Sequence, residues 1–553
     1  MIALLNNVAK QSRVKIIFWV CLISFTTLSC KDEFLKESPI SALSEGNVLN
    51  SVDGFEFLIT GLHEMAREEL SSIDLLFYFD QNTGTDVVTS GQLSVKQFVN
   101  YETYLTPATS ASEVYWKWAY TGLISRTNAI IAAARNEKYK DIWDSEEQKN
   151  AIIAEASFFR AYIFNILANL YGGVPIVDTV FTSPKTDFIR NTRQEVYDFA
   201  RKDLEFAVQW LPEKVSSDQQ GRIVKGAAYH LLTEVYINLG EYEKAIESAS
   251  QVINSGTFKL MTERFGVNKS KPGDVFSDLF LEGNQNYGDG NLETIWAWQY
   301  KEFTPGGGGT GLTSKGNHLV RGWLPFWSQL LDPNGKSGME MNDSIGRGVA
   351  IMRPTTYFLY DLWSGDWNDM RNSEFNIRRE FYYNNPNSAY FGQKVEPRTT
   401  EIDTMQRLYP VIRKVEGKPW QGDVNSGRTG KDFIIYRLGE TYLLRAEAYL
   451  RNGDLVKAAE DINTIRRRAN GTPVLPSDVD IDYILDERAR ELIAEEPRRR
   501  TLMRMGKLVE RVKKYNMKAD TRNSISDKHE LFPIPQTAID ANFTSKLEQN
   551  PGY

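Results

Sequence analysis

The chain has 553 residues, 41% of them hydrophobic and 25% charged, with 65 basic against 72 acidic side chains for a net charge of −7. These proportions exclude wholesale disorder, a collagen-like repeat and a polytopic membrane protein, and the acidic balance gives no support to a nucleic-acid partner. Two cysteines are too few for a disulfide-stapled scaffold or a four-thiolate zinc site.

The first segment reads as a secretion signal. Lys10, Arg13 and Lys15 flank an apolar run, Ile16–Leu28, and no acidic residue occurs before Asp32. The run is shorter than the roughly 20 residues that span a bilayer. A basic region, an apolar region and a small residue before a cut are the parts of a signal peptide. Leu28-Ser29-Cys30 resembles the lipobox of bacterial lipoproteins, with Thr27 where that box usually has leucine. The resemblance implies cleavage before Cys30 and acylation of its thiol by fatty chains such as palmitate. Lys31-Asp32-Glu33 resembles the charged signal that carries Bacteroidota lipoproteins to the outer leaflet. Each buried acyl methylene contributes about 0.8 kcal/mol, so two or more chains anchor a protein stably. Cleavage also discards Cys21, leaving no thiol free to pair, and makes the charge three units more negative.

Amphipathic helical patterns then recur at 52–70, 113–135, 192–210, 224–239, 242–254, 433–451, 455–469, 480–496 and 500–514. Ala151–Tyr171 is apolar almost all round, which predicts a helix buried in protein, ended by Gly172-Gly173 and Pro175. Two helix pairs repeat each other when Gly240 is set on Gly453. Tyr229, Leu231, Tyr236, Lys244, Ala245 and Glu247 then match Tyr442, Leu444, Tyr449, Lys457, Ala458 and Glu460. A glycine at the turn and a small alanine where two helices approach are the marks of a tetratricopeptide (TPR) unit. Between the pairs, residues 256–430 lose helical periodicity. Turn formers cluster there, at Pro305–Gly309, Asp332–Gly335 and Asn384–Asn387, among dense aromatics that include Trp296, Trp298, Tyr300, Phe303, Trp323, Trp327, Tyr360, Trp363 and Trp367. So aromatic a stretch is not compositionally disordered, and it predicts an ordered, loop-rich excursion carried by the helices.

Catalytic motifs fail on inspection. His63-Glu64 begins a zinc-protease pattern, but Arg67 stands where the second histidine belongs. The four histidines share no metal-ligand spacing. Gly335-Lys336-Ser337 ends like a phosphate loop, yet Leu330 replaces its first glycine. Asp332-x-Asn334 fails as a calcium loop at Lys336. No cofactor or metal is expected. A paired-carboxylate hydrolase stays open, because many acids could pair and only geometry identifies the right ones.

Ordered motifs along the chain resemble the SusD/RagB family of outer-membrane nutrient-binding lipoproteins. They run from Trp116-x-Trp118 and Asn128 through Ala154-Glu155-Ala156-x-Phe158-x-Arg160-Ala161-Tyr162 to Leu170-Tyr171-Gly172-Gly173-Val174-Pro175. They resume at Tyr436-Arg437-Leu438-Gly439-Glu440, Ile462-Asn463-x-Ile465-Arg466-x-Arg468-Ala469, Glu487-Arg488-x-x-Glu491-Leu492, Phe532-Pro533-Ile534-Pro535 and Gln549–Tyr553. Pro497 and Thr501 depart from the usual glycine and acid. The resemblance implies a mainly α fold, with TPR-like helix pairs as an α-α superhelical scaffold around a large irregular ligand-binding region. It implies a signal peptide at 1–29, a helical TPR region at 30–255, the aromatic-rich loops at 256–432 and a helical region with a closing tail at 433–553. It further implies a non-enzymatic receptor, lipid-anchored in the outer membrane and facing the exterior. Such a receptor binds oligosaccharides, or in some branches peptides, and delivers them to a SusC-like TonB-dependent transporter.

Sugar rings pack their C–H faces on aromatic rings, while their hydroxyls need carboxylate, amide or guanidinium partners. The expected ligand contacts are therefore Trp323, Trp327 and Arg321 in RGWLPFWSQ, Tyr300 before the glycine run, and Tyr78, Asp80, Asn82 and Asp86 in FYFDQNTGTD. Burial beneath a loop is the competing reading for Trp323 and Trp327, since large aromatics are well buried on average. Trp116, Trp118, Trp296 and Trp298 read as scaffold. A TPR scaffold for envelope assembly that binds no nutrient is the alternative function.

Overall fold

The computed structural model describes residues 48–71, 77–93, 98–308 and 316–553. Cys30 and the signal segment lie outside the described residues. Among the described residues, the helices of eight residues or more are α1 (Val52–Ser71), α2 (Ser110–Lys117), α3 (Ser125–Ala134), α4 (Glu146–Tyr171), α5 (Arg193–Trp210), α6 (Lys225–Leu239), α7 (Tyr242–Ile253), α8 (Leu438–Arg451), α9 (Leu455–Arg468), α10 (Ile481–Leu492), α11 (Arg498–Met505) and α12 (Leu508–Tyr515). Six short strands pair in antiparallel twos: β1 (Val88–Thr89) with β3 (Arg353–Pro354), β2 (Thr294–Trp298) with β6 (Phe433–Arg437), and β4 (Ile377–Arg378) with β5 (Val411–Ile412). Phe55–Tyr553 form one compact unit, and residues 48–54 lie outside it.

α4 forms the spine. The Ser145 hydroxyl caps its start by accepting from the Gln148 N–H (3.2 Å), and Glu146 and Glu147 face the positive end of the helix dipole. Gly172, at φ 74°, ends it. Its most apolar window is long enough to cross a membrane, but 94% of that window is buried within the protein, packed by α3, α5 and α11. α5 starts with a reciprocal Thr192–Glu195 capping box.

The internal repeat appears as repeated geometry. In α6–α7 the Gly240 N–H donates to the Ile237 carbonyl (3.0 Å) and the Glu241 N–H to the Tyr236 carbonyl (2.9 Å). In α8–α9 the Gly453 N–H donates to Leu450 (3.0 Å) and the Asp454 N–H to Tyr449 (2.9 Å). Both are Schellman closures that need a left-handed residue, supplied by Gly240 at φ 77° and Gly453 at φ 84°. Lys244 lies over the Tyr236 ring at 5.6 Å and Lys457 over Tyr449 at 5.4 Å. The fully buried Ala245 and Ala458 admit the close helix approach. α7 packs on α8, so the two pairs stack.

Three predicted helices differ. Phe433–Arg437 is strand β6 rather than the start of a helix, because its Phe-Ile-Ile-Tyr run pairs with the equally apolar β2. The 113–135 pattern is interrupted by a wide π-helical turn at Trp118–Ile124. The 500–514 pattern is broken by Gly506, at φ 65°, into α11 and α12.

Residues 256–432 are held by short elements such as the helical turn Leu319–Trp323 and by side chains that close turns. The Asp332 carboxylate accepts from the Asn334 and Lys336 N–H groups (2.9 and 3.0 Å) and from the Ser388 hydroxyl (2.6 Å). The segment that failed as a calcium loop is thus a carboxylate-closed turn.

Candidate functional site

A buried ionic network joins the loops to the helices. Arg371 binds Asp369 (2.6 Å), Glu487 (2.7 Å) and Glu491 (2.9 Å), all fully buried. Glu491 also takes Arg437 (2.5 Å) and Arg468, and Glu487 takes Arg466 (2.7 Å). Burial alone would raise the Glu491 carboxyl, yet Arg468, Arg437, Arg371 and Lys414 hold it well below the usual carboxylate range. Breaking such a pair costs about 3–5 kcal/mol, because the remaining charge stays buried and unpaired.

That network supports one exposed ring. The Asp366 carboxylate accepts from the Thr472 N–H (2.9 Å) and hydroxyl (3.1 Å) and from Arg466, and the Asp369 N–H donates to the Asp366 carbonyl (3.0 Å). The turn between these two acids presents Trp367 with 51% of its surface in solvent, whereas Trp363, four residues earlier, is fully buried. The Arg379 guanidinium lies over Trp367 at 4.9 Å and over Tyr360 at 6.0 Å. It donates to the Asn372 side chain (2.6 Å) and to the Asn372 and Leu359 carbonyls (3.1 and 2.9 Å). Beyond β4, side chains alternate. Phe381 packs on Trp327 at 5.4 Å and Tyr383 is buried, so Tyr382 between them points outward, 51% exposed.

Trp367 and Tyr382 line one cleft of about 830 Å³, together with the polar Asn368, Arg379 and Asn384 and the apolar Met339, Ile377 and Phe381. At Ser344, Ile345, Phe375 and Arg413 it meets a second cleft of about 440 Å³, whose lining includes Val320 and Lys418. The arrangement combines two half-exposed rings, amides and a guanidinium in a cleft that adjoins a second one.

None of the predicted contacts lines this cleft, and all but one are interior. Trp323 and Trp327 are each 1% exposed, and the Trp327 indole N–H donates to the Ile345 carbonyl (3.1 Å). A ring without an open face cannot stack on a sugar, so both belong to the core. Tyr300 is buried beneath the Arg67 guanidinium, 5.0 Å from the ring centre. The FYFDQNTGTD stretch contacts the C-terminal part of the chain, and the polar groups expected to meet a ligand are engaged within the protein. The Tyr78 hydroxyl donates to the Ala494 carbonyl, and the Asn82 amide to the Tyr78 carbonyl (3.1 Å). Asp86 pairs with Arg498 and Arg511, both at 2.7 Å. Burial pushes the Asp80 carboxyl up to about 7 against the opposing pull of Arg499 and the Tyr104 hydroxyl. Arg321 alone among the expected contacts is part exposed. Phe303, noted only as an aromatic of the loop region, is 82% exposed at φ 55°. The signals for the rings that do line the cleft were local. Trp367 sits among Gly365, Asp366, Asn368 and Asp369, which are turn residues, and Tyr382 lies in an alternating run.

Two family models match the chain. One, described as "SusD family", matches residues 351–553, and another, described as "Starch-binding associating with outer membrane", matches residues 33–237. The SusD-like protein P2 of Formosa agariphila is 30% identical over a stretch that covers 44% of this chain and only 47% of that protein. The SusD-like protein P38 of the same organism is 25% identical over 98% of this chain and all of its own length. The starch-binding protein SusD of Bacteroides thetaiotaomicron is 26% identical over 80% of each chain. Among solved structures, a laminarin-binding SusD-like protein superposes with a TM-score of 0.68 at 22% identity, covering 91% of this chain and all of that one. Helix pairs at both ends, an irregular middle and separate matches to each terminal part lead to one assignment: the chain belongs to the SusD family.

Proposed function

We propose that this protein is a cell-surface receptor that binds nutrient oligosaccharides in the Trp367–Tyr382 cleft and passes them to a SusC-like TonB-dependent transporter. The observation that carries the reading is the pair of half-exposed rings in one cleft lined also by amide and guanidinium groups. A pyranose presents axial C–H groups to such rings and equatorial hydroxyls to Asn368, Asn384 and Arg379. The support beneath Trp367 is ionic and buried, so the platform is rigid before ligand arrives and little ordering entropy is lost on binding. The relative with the printed description "laminarin binding" shares the fold, which supports a glycan as the ligand class. In this reading, residues 30–255 and 433–553 are the scaffold, residues 256–432 carry the ligand, and an acylated Cys30 holds the protein to the outer face of the outer membrane. No catalytic step is assigned.

Affinity electrophoresis of the soluble chain through gels containing neutral and acidic polysaccharides tests the site. Retardation by at least one polysaccharide is expected. It should be lost in the Trp367→Ala/Tyr382→Ala double variant while the circular dichroism spectrum is unchanged. Retardation that survives the double variant would remove these rings from the site. Failure to bind any polysaccharide, with binding to peptides instead, would overturn the glycan reading in favour of a peptide receptor. A Cys30→Ala variant should leave the membrane fraction.

A further inference from the structure

Most arginines of this chain that reach the interior meet an acid: Arg160 with Asp203, Arg222 with Glu155, Arg371 with three carboxylates. Arg321 differs. It lies on the turn Leu319–Trp323, half-buried, and among the described residues its guanidinium has no ion pair and no hydrogen bond. Burial and then Arg347, another cation, both hold its pKa below the usual guanidinium range. Arg347 spends one N–H on the Asn425 carbonyl and has no carboxylate within ion-pair distance among the described residues. The two residues are fixed relative to each other. The Val349 N–H donates to the Arg321 carbonyl (2.9 Å). Gly427, at φ 65°, packs so closely on both that an added Cβ would stand 3.1 Å from the Arg347 carbonyl oxygen and 3.2 Å from the Arg321 Cβ. Two cations carried on backbone that is locked together, neither paired with an acid among the described residues, favour an anion placed between them.

Their place ties them to the cleft. Ser344 and Ile345 line both clefts, and Val320, next to Arg321, lines the second. Two residues of chain span at most about 7 Å, so the Arg347 backbone is within that distance of the cleft wall at Ile345. We propose that Arg321 and Arg347 form an anion subsite at the edge of the cleft, which reads an acidic substituent, a carboxylate or a sulfate ester, on the bound glycan. The inference rests on the glycan-binding reading and narrows it to acidic polysaccharides. Guanidinium groups bind either oxyanion through paired N–H···O bonds.

The test is affinity electrophoresis of the full soluble chain against polygalacturonate, κ-carrageenan and neutral laminarin, with polyglutamate as a non-glycan polyanion. At least one acidic polysaccharide should retard the protein more than laminarin does, and raising NaCl should weaken that retardation. Preference for polygalacturonate or for κ-carrageenan distinguishes carboxylate from sulfate. The Arg321→Gln/Arg347→Gln variant should lose about tenfold or more in affinity for the preferred acidic polymer, with unchanged thermal stability and unchanged laminarin retardation. Equal retardation of wild type and variant by the acidic polymers would overturn the subsite. So would binding confined to laminarin, which would leave the cleft reading intact. Polyglutamate retarding the protein as strongly as the preferred glycan would overturn it in favour of an acidic peptide. Loss of all binding in Trp367→Ala/Tyr382→Ala, with the arginine variant unaffected, separates failure of this inference from failure of the cleft.

Discussion

In the helix pairs α6–α7 and α8–α9, position in sequence sets position in space: the same glycine closes the same turn, and the same lysine covers the same tyrosine 213 residues later. Between 256 and 432 no such periodicity exists, and turns are closed by backbone bonds and by local side chains, as at Asp332. The helical part is stabilised chiefly by burying apolar faces, whereas the loop part borrows its rigidity through Asp366, Asp369 and Arg371 from carboxylates and guanidiniums on α9 and α10. The comparison explains how a region without regular structure can present Trp367 in a fixed place. It also explains why neighbouring tryptophans in that region have opposite roles.

The strongest way to break this contrast is at the junction. Arg371→Met should destabilise the protein by about 3–5 kcal/mol, read by thermal or urea unfolding, because Asp369, Glu487 and Glu491 would remain buried without their shared cation. An unfolding midpoint equal to that of wild type would show that the loops do not depend on the network. A similar loss, about 3–5 kcal/mol, is expected for Trp323→Ala, which empties a core position. Trp367→Ala, on the exposed turn, should stay within about 0.5 kcal/mol of wild type and change only binding. Equal destabilisation by the two tryptophan variants would erase the distinction between core and platform.

Acid titration probes the same junction. Burial would raise the Glu487 carboxyl, but Arg371, Arg490 and Arg466 lower it from 4.5 to about 2. A carboxyl depressed in the folded state contributes stability that is complete above its unfolded value, near 4.5, and is lost as pH falls through the window from about 4.5 to about 2. Glu487→Gln should therefore be less stable than wild type at neutral pH and lose less further stability between pH 5 and pH 2.5. Parallel pH profiles for the two proteins would remove Glu487 from the acid response. A modest effect is expected in the periodic part. Gly453→Ala, at φ 84° with open space around the added methyl, should cost about 1 kcal/mol from backbone strain alone.

Much of the scaffold was legible because it is local. Glycine closures, buried alanines and the apolar stripe of α4 are short-range patterns, and the SusD/RagB motifs lie on them. β6 was read as helix because its pairing with β2 joins residues far apart in the chain. The site was less legible for the same reason. Asp86 has the composition of a ligand contact, but its partners Arg498 and Arg511 are 412 and 425 residues away. Trp323 and Trp367 look alike in sequence, both within two residues of a glycine and in an aromatic stretch, and differ in what packs over them.

The sequence by itself determined that the chain is acidic and mainly helical, with a repeated helix pair, a loop-rich aromatic middle and the motifs of one family. These properties follow from composition and from spacings of a few residues. Only the tertiary structure decided which aromatic rings meet solvent, which acids are already neutralised by arginine, and which cations are left without an acid. Exposure and charge pairing depend on residues brought together from hundreds of positions apart, and no local pattern encodes that meeting.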